Sequence, residues 1–127
     1  MAAGDAGARK RRRLSRSGEF DRVYREGSSH ATRYLVLYSF PRTEEDEGEV
    51  RLGVSASRKV GGAVERNRVK RVLRESFWSL SDRLPAGHDF VLVARPAIGE
   101  LVEREGAAGA KICVEAALAE AGGERST

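Results

Sequence analysis

The 127 residues, 40% of them hydrophobic, suit one compact domain with a single core, since a domain typically takes about 100–200 residues. The net charge of +4 is modest but unevenly spread: residues 1–74 carry 18 basic and 10 acidic side chains, and residues 75–127 carry 5 and 9. The single cysteine excludes an internal disulfide, and no apolar run approaches the ~18 residues of a membrane span or forms a signal-peptide core, so a soluble, cytoplasmic protein is expected.

The chain opens with MAAGDAGARKRRR, small residues followed by five consecutive basic ones. With one large apolar side chain this stretch cannot bury a core, so residues 1–13 are expected to be a flexible basic arm, either merely solvated or seeking phosphate. Order should begin at Leu14. Ser15 or Ser17 can cap a helix, Glu19 and Asp21 suit the positive end of its dipole, and Gly27 is placed to end it. Phe20, Val23 and Tyr24 stand at i, i+3 and i+4 and share one face of that helix.

RYLVLYSF, residues 33–40, is rich in β-branched and aromatic residues and stops at Pro41, which predicts a strand. Both its faces are apolar: Tyr34, Val36, Tyr38 and Phe40 on one, Leu35 and Leu37 on the other. Something must cover each face, or one face waits for a ligand. RTEEDEGE, residues 42–49, is a polar loop without the spacing of a calcium-binding loop, and VRLGVSAS, residues 50–57, is a second strand expected to pair antiparallel through it. DFVLVAR, residues 89–95, is nearly all apolar, as befits a central strand covered on both faces. Residues 98–121 return to a helical pattern that Gly106 and Gly109 interrupt, and 122–127 is expected to be a disordered tail. The expected fold class is α+β, a single domain over 14–121 with a small mixed sheet and packed helices. Its order is helix, strand, strand, helix, strand, helix, with room for one more short strand near His30.

Residues 58–78, RKVGGAVERNRVKRVLRESFW, hold seven basic side chains in twenty-one positions. Projected at 100° per residue, Val69, Val72, Leu73, Ser76, Phe77 and Leu80 form the core side of a helix. Asn67, Arg68, Lys70, Arg71 and Arg74 spread over the other side, with Arg66 at its margin. A helix kept soluble by charge usually interleaves Glu with Lys, whereas here arginine outnumbers lysine five to two. Guanidinium forks grip phosphate in two places and stack on bases, so the pattern points to a polyanion. Trp78 falls beside Arg71 and Arg74, as a base-stacking platform or as a cover for the sheet edge. Gly61 and Gly62 let the backbone bring the helix amides near a phosphate, although no Walker spacing exists. His30 and His88 lack metal-ligand spacing and read as surface or loop histidines. No nucleophile elbow, paired-histidine motif or cysteine cluster is present, so no catalytic residue is assigned.

RLGVSASRKVGGAVERNRVKRVLRESF closely resembles the signature of the bacterial ribonuclease P protein subunit family. The likeness extends to RLSRSGEFDRVYREG, RYLVLYSF and GHDFVLVARP, covering about residues 13–96 and more weakly the last helix. The resemblance implies a protein component of a ribozyme that removes the 5′ leader from precursor tRNA. In that family the RNA subunit, with bound Mg2+, is the catalyst. Arg58, Lys59, Arg66, Asn67, Arg68, Lys70, Arg71 and Arg74 would then face the RNA subunit. Phe20, Tyr24, Val36 and Tyr38 would line the cleft for the leader, which accounts for a strand apolar on both faces. The family also implies a left-handed crossover between two parallel strands, no membrane and no small-molecule substrate. The chain departs from the pattern in its heavily acidic loop and in Arg58, where lysine is more usual; Trp78 lies outside the motif. Without the resemblance, the basic helix would equally suit a general or ribosomal RNA-binding protein.

Overall fold

The most apolar stretch becomes the centre of a sheet in the computed structural model, which describes residues 11–14, 17–42, 49–85 and 87–126. In chain order the elements are β1 (Arg11–Arg13), α1 (Ser17–Glu26), β2 (Ser28–Ala31), β3 (Leu35–Pro41), β4 (Val50–Ala56), α2 (Ala63–Trp78), a 3-10 turn (Ser81–Arg83), β5 (His88–Ala94) and α3 (Ala97–Ser126). The strands stand in the order β1-β4-β5-β3-β2. β1, β4 and β5 are parallel, whereas β3 runs antiparallel to both β5 and β2. This is the α+β class with a mixed sheet that the sequence predicts, and β2 is the extra strand near His30.

Three expectations give way. The hairpin across 42–49 does not form, because β5 lies between β3 and β4. Phe90 and Leu92 point to one side of β5 and Val91 and Val93 to the other, so only the centre of the sheet covers both. The arm expected over 1–13 gives up its last three residues to β1, which pairs with Val50–Leu52 and continues as Leu14 N–H donates to the Leu52 carbonyl at 2.9 Å. Residues 1–10 and the acidic positions 44–48 lie outside the described residues. The tail expected from 122 is helical in its backbone as far as Ser126, since extending an existing helix needs no new nucleus. The interruption predicted in this helix is real: Gly106 takes φ 65° and ψ −152°, a left-handed φ that only glycine adopts freely, and divides α3 into two stretches.

Each face of the sheet carries its own layer. On one side α2 contributes Val69, Val72, Leu73 and Phe77, and α3 contributes Ile98, Val102, Val114 and Ala117, to a cluster of eighteen buried residues. On the other, α1 encloses three, Leu14, Val23 and Val91, with Phe20, Tyr38, Phe40 and Val93 half-buried around them. At roughly 1.5–3 kcal/mol per fully buried large side chain, the α2/α3 layer dominates stability. That leaves the α1 side available for binding. The turn out of α1 passes so close to β3 that a Cβ on Gly27 would come 2.5 Å from the Ser39 carbonyl oxygen, so Gly27 ends the helix by close approach.

A fully buried carboxylate anchors α1. Asp89 on β5 accepts from Arg42 at 2.6 Å and from Arg51 Nε and Nη2 at 2.6 and 2.8 Å, while Arg22 on α1 lies 3.5 Å away. Arg51 also reaches Glu19 on α1 at 3.1 Å. The hydrogen bond to Asp89 raises the Arg51 pKa, outweighing the desolvation that lowers it. Because removing one partner of a buried ion pair strands the other charges, Asp89→Ala is expected to lose about 3–5 kcal/mol in urea unfolding. A loss below about 1 kcal/mol would show that the arginines resolvate without it.

Candidate nucleic-acid interface

The helical period sorts α2 as the sequence predicts. Val69, Val72, Leu73, Ser76 and Phe77 are buried; Asn67, Arg68 and Arg71 are exposed, and Arg66, Lys70 and Arg74 half-buried. Arg58 and Lys59 are exposed on the turn that joins β4 to α2, where the Ser57 carbonyl accepts from Val60 N–H at 3.0 Å and Ser57 Oγ from Lys59 N–H at 3.3 Å. Arg68 Nη2 lies 3.5 Å from the Val102 carbonyl of α3. At the helix start Glu65 folds back over the glycines, so that a Cβ on Gly61 would come 2.9 Å from Glu65 Cβ. The dipole's positive end therefore already has a carboxylate in its first turn, a difference from the open phosphate approach expected of Gly61 and Gly62.

On the opposite face of the sheet, Phe20 and Tyr24 on α1 and Tyr38 on β3 form a chain of rings. Phe20 and Tyr24 centroids are 6.3 Å apart, and Tyr24 meets Tyr38 edge-on at 4.9 Å. Desolvation pushes the Tyr24 phenol up, Tyr38 and Asp21 add to this, and a hydrogen bond with Ser55 pulls it the other way. Val36 lies one row further along the same face, opposite Val93 of β5 and Ala31 of β2. The structure thus brings Phe20, Tyr24 and Tyr38 together, with Val36 two residues from Tyr38 on the same face of β3. β1 pairs only as far as Leu52, and beyond it the outer edge of β4 has no neighbouring strand among the described residues. There the groove opens, and Lys70 of α2 lines it together with Phe20, Asp21, Tyr24 and Ser55.

Two contributors escaped sequence reasoning. Gly53 in the middle of β4 is where the Phe20 ring lies, for a Cβ there would come 2.5 Å from Phe20 Cζ. Its signal was available, since a glycine inside a strand often marks close approach of another group. Ser55, two residues on, orients Tyr24. The histidines also differ from expectation: His30 and His88 sit on strands, half-buried, and line one pocket with Arg83 and Phe90. Burial, with Glu105 adding, pushes the Cys113 thiol up, which disfavours the reactive thiolate. Among the described residues no three His, Cys, Asp or Glu side chains are grouped to hold a metal ion, and no helix is long and apolar enough to cross a membrane.

The family model for Ribonuclease P matches residues 8–116. The ribonuclease P protein component of Bacillus cereus is 38% identical over 97 residues, spanning 76% of this chain and 83% of its own length. The same component of Bacillus anthracis is also 38% identical over 97 residues, covering 76% of this chain and 80% of the relative. Among solved structures, the Staphylococcus aureus RNase P protein superposes with a TM-score of 0.74 at 32% identity, over 86% of this chain and 94% of that one. The Thermotoga maritima RNase P protein superposes with a TM-score of 0.73 at 29% identity, over 84% and 94%.

Filling the space beneath Phe20 should disturb the groove. Gly53→Ala is expected to lose about 1–3 kcal/mol in urea unfolding, the usual effect of overpacking. Gly18→Ala, whose Cβ would meet nothing within 4 Å, should lose nothing. Equal stability of the two variants would contradict the packing of Phe20 on β4.

Proposed function

The chain belongs to the ribonuclease P protein family, and on that premise we propose that it is the protein component of a ribonuclease P ribonucleoprotein that removes the 5′ leader from precursor tRNA. Arg58, Lys59, Arg66, Asn67, Arg68, Lys70, Arg71 and Arg74 bind the RNA subunit. The groove of Phe20, Tyr24, Val36 and Tyr38 holds the single-stranded leader. The observation that carries this reading is Lys70: it stands on the basic helix and also lines the aromatic groove, so one continuous surface runs from a phosphate-binding face to a base-stacking one. Aromatic rings beside cations hold a single strand with little sequence preference, as a component serving many precursor tRNAs requires.

The protein acts by binding. The basic half of the chain displaces counterions from the RNA subunit, screens repulsion between that RNA and its substrate, and extends the grip beyond the scissile bond. The RNA subunit is the catalyst in this reading, and Mg2+ is held mainly by RNA. Among the described residues no three His, Cys, Asp or Glu side chains are grouped to fit a divalent ion. The whole complex works in the cytoplasm.

Cleavage of a 5′-extended precursor tRNA at low magnesium tests the reading with three samples: the cognate RNA subunit, this protein, and both together. Efficient cleavage by the mixture alone is expected; RNA binding without rescue would sink it. Arg71→Ala should weaken RNA binding and reduce the slope of log affinity against log salt by about 1. Tyr38→Ala should instead weaken binding of leader-bearing substrate and leave leaderless tRNA unaffected. Equal effects of both variants on leaderless tRNA would remove the distinction between the two surfaces.

A further inference from the structure

Trp78, in the last turn of α2, lies outside both surfaces described so far. It follows Arg71 by seven residues and Arg74 by four, so the three share one stripe of the helix. With Glu75 and Ser79 they line a shallow depression that has no residue in common with the aromatic groove. The indole is half-buried and stands at 82° to the fully buried Phe77 ring, their centroids 5.0 Å apart. A core residue thus props the ring from below. A ring already held in place has little freedom left to lose when a second flat group stacks on it.

The charges around it are one-sided. Arg74 is half-buried, and its pKa is lowered by desolvation and then by the positive charge of Arg13. Arg13 is exposed and comes from β1, where pairing with Leu52 holds it at this edge of the sheet. Two guanidinium groups, Arg71 and Arg74, therefore line the depression, with Glu75 the carboxylate beside them. A Trp serving only to cover the sheet edge accounts for the contact with Phe77. It does not account for cations gathered around the remaining surface, where each disfavours the others unless an anion joins them.

We propose that this depression is a second RNA contact, in which one unpaired nucleotide of the RNA subunit stacks its base on Trp78 while the adjoining phosphate lies on Arg71 and Arg74. The inference rests on the function proposed above for its choice of RNA. A flat aromatic surface with two guanidinium forks along the same helix stripe matches a base and its adjoining phosphate, since the forks bind phosphate oxygens in pairs. This contact belongs to the RNA subunit and not to the leader, which occupies the opposite face of the sheet.

Trp78 is the single tryptophan of the chain, so intrinsic indole emission reports on this place alone. The full-length protein is titrated with the cognate ribonuclease P RNA while binding is followed independently by filter retention. Emission should be quenched in proportion to the bound fraction. Trp78→Leu should bind that RNA about tenfold more weakly, and Trp78→Phe, which keeps a stacking ring, should recover most of the loss. The preference for leader-bearing over leaderless tRNA should be the same in all three proteins. Saturated binding with unchanged emission, or Trp78→Leu and Trp78→Phe both binding as the wild type, would overturn the contact while leaving the proposed function standing. If Trp78→Leu does not fold in urea titration, the emission of the wild-type protein still decides. A wild-type protein that neither binds this RNA nor promotes cleavage would overturn the function and the contact together.

Discussion

One buried carboxylate organises this small domain. Asp89 sits at the start of the central strand with no exposure to solvent, and the arginines around it come from α1, from the end of β3 and from β4. A charge removed from water is tolerable only where hydrogen-bonded opposite charges replace the lost hydration. That requirement constrains geometry more tightly than apolar contact does, because a guanidinium fork must meet the carboxylate at a set distance and direction. α1 is therefore held at one place on the sheet, although the apolar residues it fully encloses are few.

The position of α1 decides the rest. Its ring-bearing side lies along β4 and β3, close enough that Gly53 has no room for a side chain, and leaves Tyr24 exposed and Tyr38 half-buried instead of enclosed in a core. The opposite layer carries the folding energy in ordinary apolar packing. This division of labour explains how a chain of 127 residues can leave large aromatic side chains half-exposed: most of the apolar packing lies on the other face of the sheet. The open outer edge of β4 links the two, since there a lysine from the stabilising layer reaches the groove on the far side.

The electrostatic design follows a related logic. Arginines of the first half of the chain serve two unlike purposes, and burial separates them. Arg42 and Arg51 are interior and neutralise Asp89; Arg58, Arg68 and Arg71 are exposed on the turn and helix that face solvent. Seven of the eighteen basic side chains of residues 1–74 fall on α2 and the turn before it, with Glu65 the one carboxylate among them. Counting charges by sequence half overstates the uniformity of that field and understates its local strength.

The sequence by itself determined the properties that depend on spacing within one element. The 3.6-residue period named the core side of α2 residue by residue, alternation showed that β3 is apolar on both faces, and Gly106 marked where α3 breaks. The basic motif, with the strands around it, also sufficed to identify the family. Only the tertiary structure decided that β5 lies between β3 and β4, that Arg11–Arg13 become an edge strand, that Asp89 gathers its arginines and that the Phe77 ring stands edge-on beneath Trp78. The reason is physical: a period in the chain reports which side of a segment avoids water, whereas strand order and ion pairing join residues 38 to 67 positions apart. Such contacts are chosen by competition among all the apolar faces and charges at once, and no local stretch carries that information.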